Sequence, residues 1–201
     1  MYFFDEKTNG FYIEGLHVIT EDMTLISEQH YKQLIEGQSQ GKQIVVNKHG
    51  KPILADSQPT QYHEWDGEKW AISAEKQAEI KLLQQEKMRE KINALRDEKI
   101  NGGVYVPELG KWFDSDARAE SSLNSVKSTF DLLGDMEITW ICADNTPVQI
   151  NKEKLILVWK AIMQAQQQNH ANALHHKAEM MKAENPLNYD YSAGWTEVYG
   201  S

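Results

Sequence analysis

Short runs of alternating apolar and polar residues fill the first 70 positions of the chain, after which the rhythm changes. In MYFFDEKTNGFYIEG, aromatic runs flank Asn9-Gly10, a dipeptide suited to a turn with positive φ at both central residues, so the segment predicts an antiparallel hairpin. Ser27 predicts an N-cap for a helix through EQHYKQLIEGQ, with Tyr31, Leu34 and Ile35 on one face and Gly37 near its end. A second hairpin is expected where Ile44, Val45 and Val46 precede a turn at Asn47–Gly50 and Ile53 and Leu54 follow. Pro52 has no amide hydrogen to give to a ladder, so its strand is predicted as an edge. Trp65 and Trp70 flank Asp66-Gly67 and predict a third, shorter hairpin.

From Ser73 the periodicity becomes helical. The run SAEKQAEIKLLQQEKMREKINALRDEKI holds no Gly or Pro, starts on a capping residue and stops at Asn101-Gly102-Gly103. Met88, Ile92, Leu95 and Lys99 recur on one face, while Ile80, Leu82 and Leu83 rotate away from it, so only the later half is expected to pack. Beyond it, Val104, Tyr105 and Val106 oppose Lys111, Trp112 and Phe113 in a further hairpin. Asp114 or Ser115 is the expected cap of a helix reaching about Leu133, with Ala119, Leu123, Val126 and Phe130 among its apolar positions. MEITWICADNTPVQIN predicts a hairpin turning at Asp144-Asn145, and Asn151 caps a long helix that Pro186 ends. The tail LNYDYSAGWTEVYGS is polar and aromatic and is expected to lie against the second half.

These elements define an α+β fold in three parts: a β-rich domain at 1–72, a helical connector at 73–101, and a domain of hairpins and two helices at 102–201. At 201 residues, two small domains are an ordinary division. The formal charge of −9 and the lack of a dense basic run argue against a nucleic-acid partner, because phosphate neutralisation needs clustered Lys and Arg. The lone cysteine, Cys142, rules out an intrachain disulfide and a multi-cysteine metal site, and fits a reducing cytoplasm. MYFFDEKTNG has no basic n-region, and no run approaches the roughly 18 apolar residues of a spanning helix, so a soluble protein without a membrane partner is expected.

Candidate chemistry is sparse. His170, His175 and His176 on the long helix are offset by five, six and one residues, whereas a shared ion needs rings three or four residues apart on one face. A solvated or partly packed helix accounts for them better than a metal site. Asp114 and Asp116 sit where a helix start favours carboxylates. Gly102-Gly103 follows a helix instead of opening one, which makes it a C-cap and not a phosphate cradle. Cys142 lies in an apolar strand and reads as a small buried hydrophobe. No catalytic, cofactor-binding or metal-ligating residues are assigned, and the chain is expected not to be an enzyme. A glycan hydrolase would require paired carboxylates in a deep cleft.

The aromatics divide. Trp112, Phe113, Trp140 and Trp159 lie in periodic elements and favour a core, whereas Tyr2, Phe3, Phe4, Phe11 and Tyr12 are too dense to bury on one face of a small hairpin. Core and protein-contact roles are balanced there, because aromatic anchors carry much of the energy of interfaces.

The stretch NGFYIEGLHVIT…ISEQHYKQLIEGQSQGKQIVVNKHGKPILAD resembles the phage tail fibre assembly protein family: Gly10-Phe11-Tyr12, the helix entry of Ser27, Glu28 and Tyr31, then LIEGQSQGKQIV and GKPIL. The resemblance covers about the first 60 residues. From roughly Leu95 to Trp195, NGGVYV, WFDSDARAESSL, ITWICADNTPVQIN and the closing AGW resemble a second small domain, common in phage proteins and of undefined function. The first resemblance implies a chaperone that binds the distal region of a tail fibre protein in the host cell cytoplasm and promotes its folding and trimerisation, without a cofactor. The alternative it leaves open is a structural subunit retained at the fibre tip and touching the host receptor. The expected protein-binding residues are Phe11, Tyr12, Tyr31, Pro52 and Trp65; self-association into a homo-oligomer is compatible with the sequence.

Overall fold

The computed structural model describes residues 1–200, and it is a mixed α+β structure divided into two compact units, Met1–Ile80 and Lys81–Ser201. In the first unit, β1 (Tyr2–Asp5) pairs with β2 (Gly10–Ile13) on one side and β3 (Thr24–Ile26) on the other, giving an antiparallel sheet of order β2-β1-β3. The third strand is absent from the sequence expectation, being three residues long and too short for a visible alternation. The turn between β1 and β2 also differs. Asp5 pairs with Gly10, so the turn occupies residues 6–9, and only Asn9 takes positive φ, at 51°. The Asp5 carboxylate organises it by accepting from the Lys7 amide at 3.0 Å and the Thr8 hydroxyl at 2.7 Å.

Helix α1 (Glu28–Ser39) starts where Ser27 Oγ accepts the His30 amide at 3.1 Å. Leu34 is buried with Phe4, Ile26 and Ile44, and Tyr31 packs on that cluster, but Ile35 faces solvent. Gly37 does not end the helix. It is buried one turn earlier than the stop, and a Cβ there would overlap the Leu54 side chain, so the glycine permits the helix to lie close against the next hairpin. Gly41, at φ +91°, makes the exit. That hairpin pairs β4 (Gln43–Val46) with β5 (Pro52–Ala55), and β6 (Glu64–Trp65) with β7 (Trp70–Ala71) forms the next.

Helix α2 (Ala74–Asn101) is capped by Ser73, whose hydroxyl accepts from the Lys76 amide at 3.2 Å. The division between units falls inside this helix and not at either end of it. From Gln85 onward it buries Gln85, Met88 and Ile92, and the last two join Ala173 and Met180 in a small core of the second unit.

The larger core of that unit gathers Val104, Val106 and Phe113 from the hairpin β8 (Val104–Val106) and β9 (Lys111–Phe113). Leu123 and Phe130 from α3 (Ala117–Leu133) join it, with Cys142 and Ile150 from the hairpin β10 (Ile138–Ile141) and β11 (Pro147–Ile150). Leu155, Val158 and Ile162 of α4 (Lys152–Lys182) close it. The cap of α3 is Asp116, whose carboxylate accepts the Ala119 amide at 2.8 Å, and not Asp114 or Ser115. Ser115 is instead buried, accepting from Gly103 N at 3.0 Å and donating to Ile100 O, so it staples the end of α2 to the start of β8. Burial raises the Cys142 thiol pKa, and the neighbouring Asp144 charge acts in the same direction.

After Lys182 the chain makes a 3-10 turn (Pro186–Asn188) and returns along α4 as an extended tail. Asn169, completely buried, donates to Thr196 Oγ1 at 2.8 Å and accepts from Thr196 N at 3.1 Å. His176 is also buried: Nε2 faces the Ala193 carbonyl at 2.8 Å and Nδ1 the Tyr189 hydroxyl at 2.9 Å, while the ring stacks on Trp195. A carbonyl only accepts, so Nε2 carries the proton. His170 and His175 are exposed.

Candidate functional site

In the first unit, strand alternation separates neighbours that look equivalent in sequence. Tyr2 and Phe4 project from β1 towards α1, and Phe11, opposite Phe4, joins them. Tyr2 stacks on Tyr31 with centroids 4.5 Å apart; Phe11 meets Phe4 at 5.3 Å and Tyr31, edge-on, at 5.0 Å. Phe3 projects to the other face. Its register partners are Tyr12 on β2 and Leu25 on β3, so Tyr12, Phe3 and Leu25 form one row across the sheet. Leu25 is 57% exposed at the outermost strand, and Leu16 and Val18 in the β2–β3 connection are 76% and 83% exposed.

Local polar contacts fix this row. The Tyr12 hydroxyl lies 3.1 Å from Thr8 Oγ1, and the His17 ring packs edge-on against Tyr12 at 5.6 Å while its Nδ1 accepts the Ile13 amide at 3.0 Å. Lys7 Nζ meets Asp22 Oδ2 at 2.5 Å, tying the first turn to the connection before β3. That hydrogen bond, with a second from Thr20, lowers the Asp22 carboxyl to about 2 and raises Lys7.

Of the residues expected at a protein contact, Tyr12 lies on this outward row. Phe11 and Tyr31 belong to the core-facing side, because α1 covers that face of the sheet. Pro52 is buried at the start of β5, so it blocks a strand edge without offering a ring to a partner. Trp65 is a strut: its indole donates to Val46 O at 2.7 Å, and its ring meets Trp70 at 5.4 Å, which in turn donates to Asp56 O at 2.8 Å. The sequence reading missed Leu25, for want of the third strand. The run Thr24-Leu25-Ile26 directly before the Ser27 cap was the available signal.

In the second unit, an open groove of about 540 Å³ lies between the β8–β9 hairpin, α4 and the returning tail. Tyr105, Trp112 and Trp195 supply its rings, and Lys160, Gln164 and Gln168 its polar groups. Trp112 is held between Tyr105 and Tyr199, at 5.6 and 6.0 Å. Among the described residues, no group of three or more His, Cys, Asp or Glu side chains converges as metal ligands would. No helix among them is long and apolar enough to cross a membrane.

The sequence profile of a family described as "Domain of unknown function (DUF4376)" matches residues 83–193, more than half of the chain and almost all of the second unit, and the chain belongs to that family. It is also 32% identical over 81 residues to a protein of Haemophilus phage HP1 (strain HP1c1), named "Uncharacterized 23.3 kDa protein in lys 3'region". That match spans 40% of this chain and 38% of the relative, so the two are shown to share only part of their lengths. The similarity places the chain among phage-associated proteins. No solved structure matches it.

Proposed function

We propose that the protein is a tail fibre assembly chaperone: it binds the distal region of a phage tail fibre chain and promotes its folding and trimerisation. The observation that carries this reading is the row of the half-buried Tyr12 and Phe3 with the exposed Leu25, ending on an outermost strand, with Leu16 and Val18 also exposed in the connection between β2 and β3. A fibre chain awaiting its trimer partners exposes apolar surface and strand edges, which aggregate when uncovered. An apolar row running to an open edge suits such a client twice over, by aromatic contact and by strand addition. The resemblance of the first 60 residues to fibre assembly proteins supports the same reading, and the phage relative fits only the phage setting that it requires. The role asks for no catalysis or cofactor, and the protein would act in the host cytoplasm.

Co-expression of a neighbouring fibre gene with and without this protein tests the proposal. Soluble, trimeric fibre should appear only in its presence. Equal yield without it overturns the chaperone role, and stoichiometric recovery from purified virions would mark it as a fibre-tip subunit.

A further inference from the structure

Helix α4 buries one side in the core and faces the groove with another, yet a third side carries exposed apolar residues along its whole length. Ile156, Met163, Leu174 and Met181 are 58%, 46%, 67% and 39% exposed. Their spacing of seven, eleven and seven residues keeps them on one face, because both repeats return a helix close to its starting direction. Gln167 and His170 fill the gap in the middle.

The stripe is a palindrome. Ile156 and Met181, Met163 and Leu174, and Gln167 and His170 all lie symmetrically about one point between Gln168 and Asn169. We propose that this stripe is a two-fold interface on which a second copy of the chain lays its own α4 antiparallel. A two-fold contact requires that if one residue touches another, the second touches the first in return, and this spacing meets that condition for every member of the stripe.

The pairing sets Ile156 against Met181 of the other copy and Met163 against its Leu174, with Gln167 and His170 at the centre. Its apolar length is roughly 38 Å at the helical rise of 1.5 Å per residue. Beside Ile156, between α3 and α4, lies an apolar notch of about 290 Å³ whose walls include Phe130, Leu155 and Trp159. A methionine suits an irregular gap of this kind, and Met181 of the second copy arrives at it. One flanking charge pair suits this register: Glu153 comes within two positions of the level of Lys182 of the other copy.

Sedimentation equilibrium of the full chain tests the interface, with circular dichroism melting to confirm that each variant is folded. The wild type should be a dimer. Met163→Glu and Leu174→Lys should each weaken it on the order of a hundredfold, the effect of burying an unpaired charge. The two substitutions together should restore it, because antiparallel packing brings each new carboxylate onto a new ammonium of the other copy. A wild type that stays monomeric, including one whose stripe is covered only when a fibre segment is added, overturns the proposal. A dimer unaffected by the single substitutions, or a double variant no tighter than either single one, does the same.

Discussion

Asn169 and Thr196 are joined by two hydrogen bonds, from Asn169 Nδ2 to Thr196 Oγ1 at 2.8 Å and from Thr196 N to Asn169 Oδ1 at 3.1 Å. A buried amide on a long helix thereby holds the returning tail, and with it Trp195 over His176 and one wall of the aromatic groove. Asn169→Ala should cost about 1–3 kcal/mol, because both hydrogen bonds to the half-buried Thr196 are lost. Denaturant melts of wild type and variant measure the loss, and protease should cut the variant sooner after Tyr189. A tail equally resistant in both proteins would show that the aromatic contacts hold it unaided.

Phe11 and Tyr12 should separate stability from binding. Phe11→Ala removes a ring wedged between Phe4 and Tyr31 and should destabilise the first unit by about 2–4 kcal/mol. Tyr12→Ala should leave the melting curve little changed while lowering the yield of soluble fibre in co-expression. Equal melting losses for both would mean that the outward row is structural.

Gly37→Ala sets two local effects against each other. Alanine is the better helix former by about 1 kcal/mol, but its methyl group would overlap Leu54. Overpacking of about 1–3 kcal/mol should win, giving net destabilisation. Adding Leu54→Ala removes the overlap, so the double variant should lose less than the sum of the single ones, as a denaturant melt of each would show.

Asp144 supplies a pH dependence. Hydrogen bonds from the Thr146 hydroxyl and amide, with Lys111 at 3.2 Å, lower its carboxyl to about 2 from an ordinary 3.8. A carboxyl depressed by folding contributes stability above its unfolded pKa and loses it as pH falls through the folded one. Asp144→Asn should therefore lower the thermal midpoint at pH 7. The gap between variant and wild type should close between about pH 4 and pH 2. A constant gap across that range would show that Asn cannot hold the turn for a reason other than charge.

Much of the architecture is written locally. Ser27, Ser73 and Asn151 cap the helices that follow them because a capping side chain reaches an amide only three residues ahead, within any short window of sequence. The paired strands at Ile44–Leu54, Val104–Phe113 and Ile138–Ile150 follow from alternation and turn chemistry on the same scale. The adjacent candidates Asp114, Ser115 and Asp116 mark the limit: which one caps α3 depends on Ser115 being drawn away to Ile100 and Gly103.

The faces were decided by tertiary structure. Whether Phe11 or Tyr12 points inward turns on which side of the sheet α1 covers, and α1 covers the side of Phe4 because Leu34 and Tyr31 pack there. Sequence alone determined that α4 is a long helix with His170, His175 and His176 too awkwardly spaced for one ion. Only packing decided that His176 and Asn169 bind the tail while Leu174 and Met163 stay exposed, since burial is set by segments tens of residues away and not by a helix's own period.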